Sequence, residues 1–150
     1  MKDRYARNTI HIDEQDQHLI KDYKILIAGC GIGSYIAECL LRLGFENLTI
    51  VDGDFVELSN LNRQNYTERD IGRNKAIVLQ KRLLEINPDA KIEAIDEYIT
   101  MENLRNLRID HKVSINALDF STDVPFIFDN ICCQLGYRSF IRIILDGQVL

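Results

Sequence analysis

A chain of 150 residues, 46% hydrophobic and 27% charged, is long enough for one domain with a real core. Its net charge of −5 argues against general nucleic-acid binding. No apolar run approaches the roughly 20 residues that a membrane helix needs. The opening Met1-Lys2-Asp3-Arg4-Tyr5 is too polar for a secretory signal, so the expected location is cytoplasmic, with no membrane partner. Four cysteines (Cys30, Cys39, Cys132 and Cys133) contain no C-x-x-C pair. That argues against zinc within this chain and for small buried hydrophobes in a reducing compartment.

Residues 1–22 are polar with scattered apolar positions and read as an N-terminal arm or helix, with His11 and His18 on the surface. Lys24 to Ala28 is a short apolar run, the pattern of a buried parallel strand. Gly29-Cys30-Gly31-Ile32-Gly33 breaks it, and Ser34 is the expected N-cap of a helix running to Leu43. Ile36, Leu40 and Leu43 are its expected inner face, and Gly44 stops it. Leu48 to Val51 is a second strand, completing a right-handed βαβ unit.

A long polar stretch follows, and then Leu79, Leu83 and Ile86 mark a helix from Lys75 to Ile86, ended by Asn87-Pro88. Lys91–Ile95 is a third strand, Met101–Leu107 a short helix and Lys112–Asn116 a fourth strand. Asp119–Asp123 reads as a loop, Val124–Leu135 as a helix and Phe140–Leu145 as a last strand. Strands alternating with helices predict one α/β domain, Rossmann-like and doubly wound, around a mostly parallel sheet.

The chemistry gathers after the strands. A glycine loop that leads from a strand into a helix presents backbone N–H groups to an anion, which makes Gly29, Gly31 and Gly33 candidate nucleotide contacts. Asp52, about 20 residues further on, stands where dinucleotide folds hold ribose hydroxyls; a plain strand-end turn is the alternative. A nicotinamide site needs nothing more. This chain adds Asp54, Asn60, Arg63, Gln64 and Lys75. Arg as a planar fork and Lys as a point charge suit a triphosphate. Asp119 and Asp123 follow the fourth strand, where a carboxylate could hold Mg²⁺ on phosphates. Asp123 fits a helix N-cap equally well.

Taken together and in order, these residues resemble the ThiF/MoeB family, the adenylating relatives of ubiquitin-activating enzymes. The matching motifs are Arg4-Tyr5-Ala6-Arg7, the glycine loop, Asp52-Gly53-Asp54, Ser59-Asn60-Leu61-Asn62-Arg63-Gln64, Ile71-Gly72-Arg73-Asn74-Lys75, Ile86-Asn87-Pro88 and Asn116-Ala117-Leu118-Asp119. The resemblance runs from about Arg4 to about Gly136. It implies binding of ATP and Mg²⁺, and attack by the carboxylate of a Gly-Gly tail on the α-phosphate. The tail would belong to a ubiquitin-like or sulfur-carrier protein, and pyrophosphate would be released. It implies that Asp52 holds the ribose, that Asn60, Arg63, Gln64 and Lys75 hold the phosphates, and that Asp123 holds Mg²⁺. In a homodimer it implies that Arg7 reaches the partner subunit's site.

Three departures stand out. The family loop G-x-G-G-x-G is one residue shorter here, and its D-x-x-D after the fourth strand is one residue longer. Family members also run well past 150 residues, so the chain reads as C-terminally truncated. Residues 137–150 lack the family's proline-led strand. Codons for Ile141 to Gly147, read one base out of phase, admit His-Pro-Tyr-Asn-Leu-Gly-Trp, so a slipped reading frame near Tyr137 is one expectation and a divergent strand the other. Two further functional readings remain: a non-catalytic nucleotide-binding or dimerisation partner, and an NAD-dependent oxidoreductase, which leaves Arg63 and Lys75 unexplained.

Overall fold

The computed structural model describes residues 4–100, 102–103, 111–119, 122–134, 136 and 138–140. Five parallel strands form the centre: β1 (Lys24–Ala28), β2 (Asn47–Val51), β3 (Lys91–Ile95), β4 (Val113–Asn116) and β5 (Arg138–Phe140), in the order β3-β2-β1-β4-β5. Among the described residues four α-helices accompany them: α1 (Glu14–Lys21), α2 (Gly33–Leu43), α3 (Lys75–Ile86) and α4 (Val124–Gln134). The doubly wound parallel expectation holds. Of the helix expected over Met101–Leu107, only Glu102 and Asn103 are described, both helical; the rest of it and the stretch from Ile141 onward lie outside the described residues.

Alternation along the strands sends successive side chains to opposite faces. Ile25, Ile27, Leu48, Ile50 and Ile92 enter one apolar layer, with Ala37 and Leu41 of α2 and Ala76, Leu79 and Leu83 of α3. Leu26, Ala28 and Val51 face the other way, onto Phe128 and Cys132 of α4. Phe128 is wholly buried and is the largest such side chain among the described residues. Both faces of the central strand are therefore covered, which is why its sequence is continuously apolar rather than alternating.

Helix α2 presents its expected face in part: Ile36 and Leu40 pack against the core and Leu43 does not. Ser34, Ala37 and Leu41 are its buried positions, Ile36 and Leu40 flank them, and Leu43 is exposed. Small residues point inward because the helix begins almost in contact with the sheet. A Cβ on Gly33 would stand 3.1 Å from a methyl of Ile27 and 3.3 Å from Cβ of Ala117. Ser34 is not the N-cap either: Ile32 holds that position without a side-chain cap. The helix ends as expected, at Gly44 with φ +116°, where the Gly44 and Phe45 N–H groups return to the Leu40 carbonyl.

The polar stretch between β2 and α3 is a closed loop with a zipped neck. The Val56 N–H donates to the Arg73 carbonyl, the Gly72 N–H to the Val56 carbonyl and the Lys75 N–H to the Asp54 carbonyl. Asn74 caps α3 through the Ile77 N–H and also donates its amide to the Asp52 carbonyl. The neck thus fixes the start of α3 beside the end of β2.

Outside the loop, Glu38 of α2 fastens it to both helices. One carboxylate oxygen takes the Arg82 Nε–H at 2.8 Å and the Asn65 amide at 2.7 Å; the other takes Arg42. Burial works against the Glu38 charge, but the bonds from Arg82, Asn65 and Arg42 outweigh it and hold the carboxyl down at about 2.

Candidate nucleotide cleft

A cleft of about 720 Å³ opens at the C-terminal edge of the sheet. Strand order reverses between β1 and β4, and in open α/β sheets ligands bind at that switch point. The glycine loop leaves β1 there. Gly29 has φ +91°, and any Cβ on it would run into the Ala117 carbonyl, so only glycine fits between the two strand ends.

Two hydroxyls hold the loop. Tyr66, buried, donates to the Cys30 carbonyl at 2.7 Å, and Ser34 donates to the Gly31 carbonyl at 2.6 Å while accepting the Asn65 N–H. The Cys30 N–H donates to Asp52 Oδ2 at 2.6 Å. Among the described residues, no protein acceptor takes the N–H groups of Gly31, Ile32 or Gly33. Consecutive N–H groups without acceptors at the start of a helix form an anion site.

Asp52 bridges the loop to the polar stretch, because its other oxygen accepts the Asp54 N–H at 2.8 Å. Burial pushes its carboxyl up, against the pull of those two N–H groups and of Lys75. The thiol of Cys30 is buried and pushed well up, mainly by that burial and then by Asp52, which makes it inert rather than nucleophilic. Cys132 is buried as well, whereas Cys39 and Cys133 are exposed, so only half of the cysteines are the buried hydrophobes expected.

Lys75 lies at the first position of α3, where the helix dipole disfavours a cation. Its side chain is only 8% exposed, and its ammonium lies 3.1 Å from Asp54 Oδ2. A buried cation placed against the local dipole answers no folding need, and it faces the cleft. Asn60 is buried and accepts the Glu57 N–H. Arg63 is exposed, with its guanidinium on the Ser59 carbonyl and the Asn62 side chain. Gln64 has a buried Oε1 with no hydrogen-bond partner among the described residues, and it lies beside Gly31.

Gly29, Gly31, Asp52, Asp54, Asn60, Arg63, Gln64, Lys75 and Asp119 all line the cleft. Gly33, Asp123 and Arg7 do not. Gly33 is a packing glycine, and Asp123 precedes α4, where its carbonyl accepts the Phe126 and Ile127 N–H groups. Arg7 belongs to the arm at the opposite edge, where Tyr5 bonds Glu46 and Asn8 bonds the Leu43 carbonyl. Sequence reasoning missed Tyr98, which stands in the cleft wall after β3 and donates to Asp54 Oδ1 at 3.0 Å. Nothing in its local sequence marks it. Only the fold brings it to Gly53 and Asp54.

The ThiF family model matches residues 5–141. The chain belongs to the ThiF family. A sulfur carrier protein adenylyltransferase of Thermus thermophilus is 34% identical over 153 residues, covering 98% of this chain and 56% of its own length. A tRNA threonylcarbamoyladenosine dehydratase of Escherichia coli is 34% identical over 109 residues, covering 71% of this chain and 41% of its own. The solved structure of the E. coli tRNA N6-threonylcarbamoyladenosine dehydratase in complex with ATP superposes with a TM-score of 0.85 at 27% identity, over 91% of this chain and 57% of that one. The chain thus spans about half the length of the curated relatives it matches.

Proposed function

We propose that this chain uses ATP to adenylate the C-terminal carboxylate of a protein or peptide, a ubiquitin-like or sulfur-carrier protein with a Gly-Gly tail being the leading class. One observation carries the reading. Gly31, whose N–H has no acceptor among the described residues, lines the cleft at the switch point together with Lys75, whose ammonium is buried, and Arg63. That donor set fits a polyphosphate. The orphaned Gln64 Oε1 beside it is a ready acceptor for a ligand N–H or O–H.

The attacking carboxylate is already ionised at neutral pH, so the reaction asks for positioning and charge neutralisation rather than a base. Asp52 would orient the ribose through lone pairs left by its two N–H donors. Lys75, Arg63 and the loop amides would hold the phosphate oxygens, with Asn60 and Gln64 fixing the stretch that carries Arg63. Magnesium, when bound, would neutralise phosphate charge. Of the two candidate carboxylates, Asp119 is the better placed to hold it, because it lines the cleft and Asp123 does not. Among the described residues no three His, Cys, Asp or Glu side chains gather as a metal site, so phosphate oxygens and water would complete the shell. Arg7 could serve a cleft only in a second copy of the chain, which would make the working unit a dimer.

The test is pyrophosphate exchange into ATP, with and without a carrier protein ending in Gly-Gly. Exchange that depends on the tail supports the reading. ATP binding without exchange, at saturating carrier, would favour the non-catalytic partner. Preference for NADH over ATP would revive the oxidoreductase.

A further inference from the structure

Asp54 is shared. Its Oδ2 lies 3.1 Å from the Lys75 ammonium, and its Oδ1 accepts the Tyr98 hydroxyl at 3.0 Å. The three groups form a line along the cleft wall, with the carboxylate in the middle. Lys75 is almost wholly buried, Asp54 is 51% exposed at its side chain, and Tyr98 is 64% exposed.

The Tyr98 ring is placed by the backbone. It lies across Gly53, where a Cβ would come within 2.6 Å of two ring carbons, and a bond from the Asn103 amide to the Tyr98 carbonyl holds the segment. The ring therefore occupies a gap that only glycine leaves open, with its hydroxyl on Asp54. Asp54 raises the Tyr98 hydroxyl's pKa, through the hydrogen bond first and its charge second.

A Lys75 ammonium held by Asp54 is not free to neutralise a phosphate. To do so it must exchange one anion for the other, and the exchange strips Asp54 of its cation. We infer that Tyr98 is a positioning residue for that exchange: its hydroxyl keeps Asp54 satisfied, so that Lys75 can turn to an anionic phosphate in the cleft. This deepens the adenylation reading and rests on it. Without the hydroxyl, Asp54 keeps only Lys75 as a side-chain partner among the described residues, and holds it back.

The experiment is calorimetry with ATP and magnesium on the full chain, comparing the parent with Tyr98→Phe, Asp54→Asn, the double variant and Lys75→Ala. Tyrosines labelled with ¹³C at Cζ are titrated alongside, and Tyr98 is assigned by its loss in Tyr98→Phe. Tyr98→Phe should weaken ATP about fivefold, the effect of one ordinary hydrogen bond, while thermal stability stays unchanged because the ring is exposed. In the Asp54→Asn background the same change should have almost no effect. The Tyr98 titration should move to higher pH when ATP is added, since Asp54 then lacks Lys75.

A Tyr98→Phe protein that binds ATP as the parent does, or effects that simply add in the double variant, would overturn the inference while leaving the ATP site in place. If the parent does not bind ATP at all, the functional reading fails and takes the inference with it. Binding abolished by Lys75→Ala but indifferent to Tyr98→Phe separates the two.

Discussion

The two ends of the sheet carry polar clusters of similar size that differ in one respect. At the N-terminal edge, Tyr5 donates to Glu46 at 2.8 Å and accepts from Asn87 at 3.2 Å. Arg4 bonds the Ile86 carbonyl, and Lys21 lies 3.5 Å from Glu46. There donors meet acceptors within the protein. At the C-terminal edge, among the described residues, three successive N–H groups lack a protein acceptor, a buried glutamine oxygen has no donor, and a buried lysine pairs with a half-exposed carboxylate. A closed polar cluster is architecture. An open one costs free energy unless something else completes it, and the asymmetry is what supports placing the proposed ligand at the C-terminal edge.

Substitutions at the open end should therefore move ligand binding and spare the fold, and those at the closed end the reverse. The largest effect belongs to Lys75→Ala: about a hundredfold loss in ATP affinity by calorimetry, with a near-parental melting temperature, since the Asp54 left behind is open to solvent. Arg63→Ala should cost about tenfold, because that guanidinium is exposed and must first leave the Ser59 carbonyl. Tyr5→Phe, at the closed end, should lower stability in urea by about 1 kcal/mol and leave ATP affinity unchanged. A Tyr5→Phe protein with weakened ATP binding would break the division between the ends.

Much of this was legible in the residues. The alternation of short apolar runs with 3.6-residue periodicity gave strands and helices nearly where they stand, because both faces of the sheet are covered and the pattern is strong. The run of polar residues that includes Asp52, Asn60, Arg63, Gln64 and Lys75 is denser than packing requires, and all five line the cleft. What escaped depends on distance in space. Ser34 reads as a cap and instead braces the loop, since the N-cap of helix α2 falls two residues earlier, at Ile32. The centre of the α2 inner face lies at Ala37 and Leu41, with Ile36 and Leu40 beside it as expected, because proximity to the sheet favours Ala37 over larger side chains. Asp119 and Asp123 could not be ranked from spacing alone, and Tyr66, Glu38 and Tyr98 act through partners more than 25 residues away.

Glu38 lies between the two ends, holding helix α2, helix α3 and the polar stretch that feeds the cleft, and it makes the smallest but sharpest prediction. Its carboxyl is held at about 2 against an ordinary 4.5, so the folded state binds fewer protons than the unfolded one between those values. The stability it contributes is therefore complete above about 4.5 and is lost as the pH falls toward 2. Asp52 has the opposite sign: its raised pKa makes the folded state bind more protons above the ordinary 3.8, so its contribution improves as the pH falls through the raised value. The two oppose each other in the parent, and the variants separate them. Glu38→Gln should flatten the acid side of the stability profile, and Asp52→Asn should steepen it, both read from urea midpoints across that range. If Glu38→Gln left the acid limb as steep as the parent's, the bonds from Arg82, Asn65 and Arg42 would not persist in solution. The brace between the sheet's two ends would then have to lie in the apolar contacts of α2 and α3 alone.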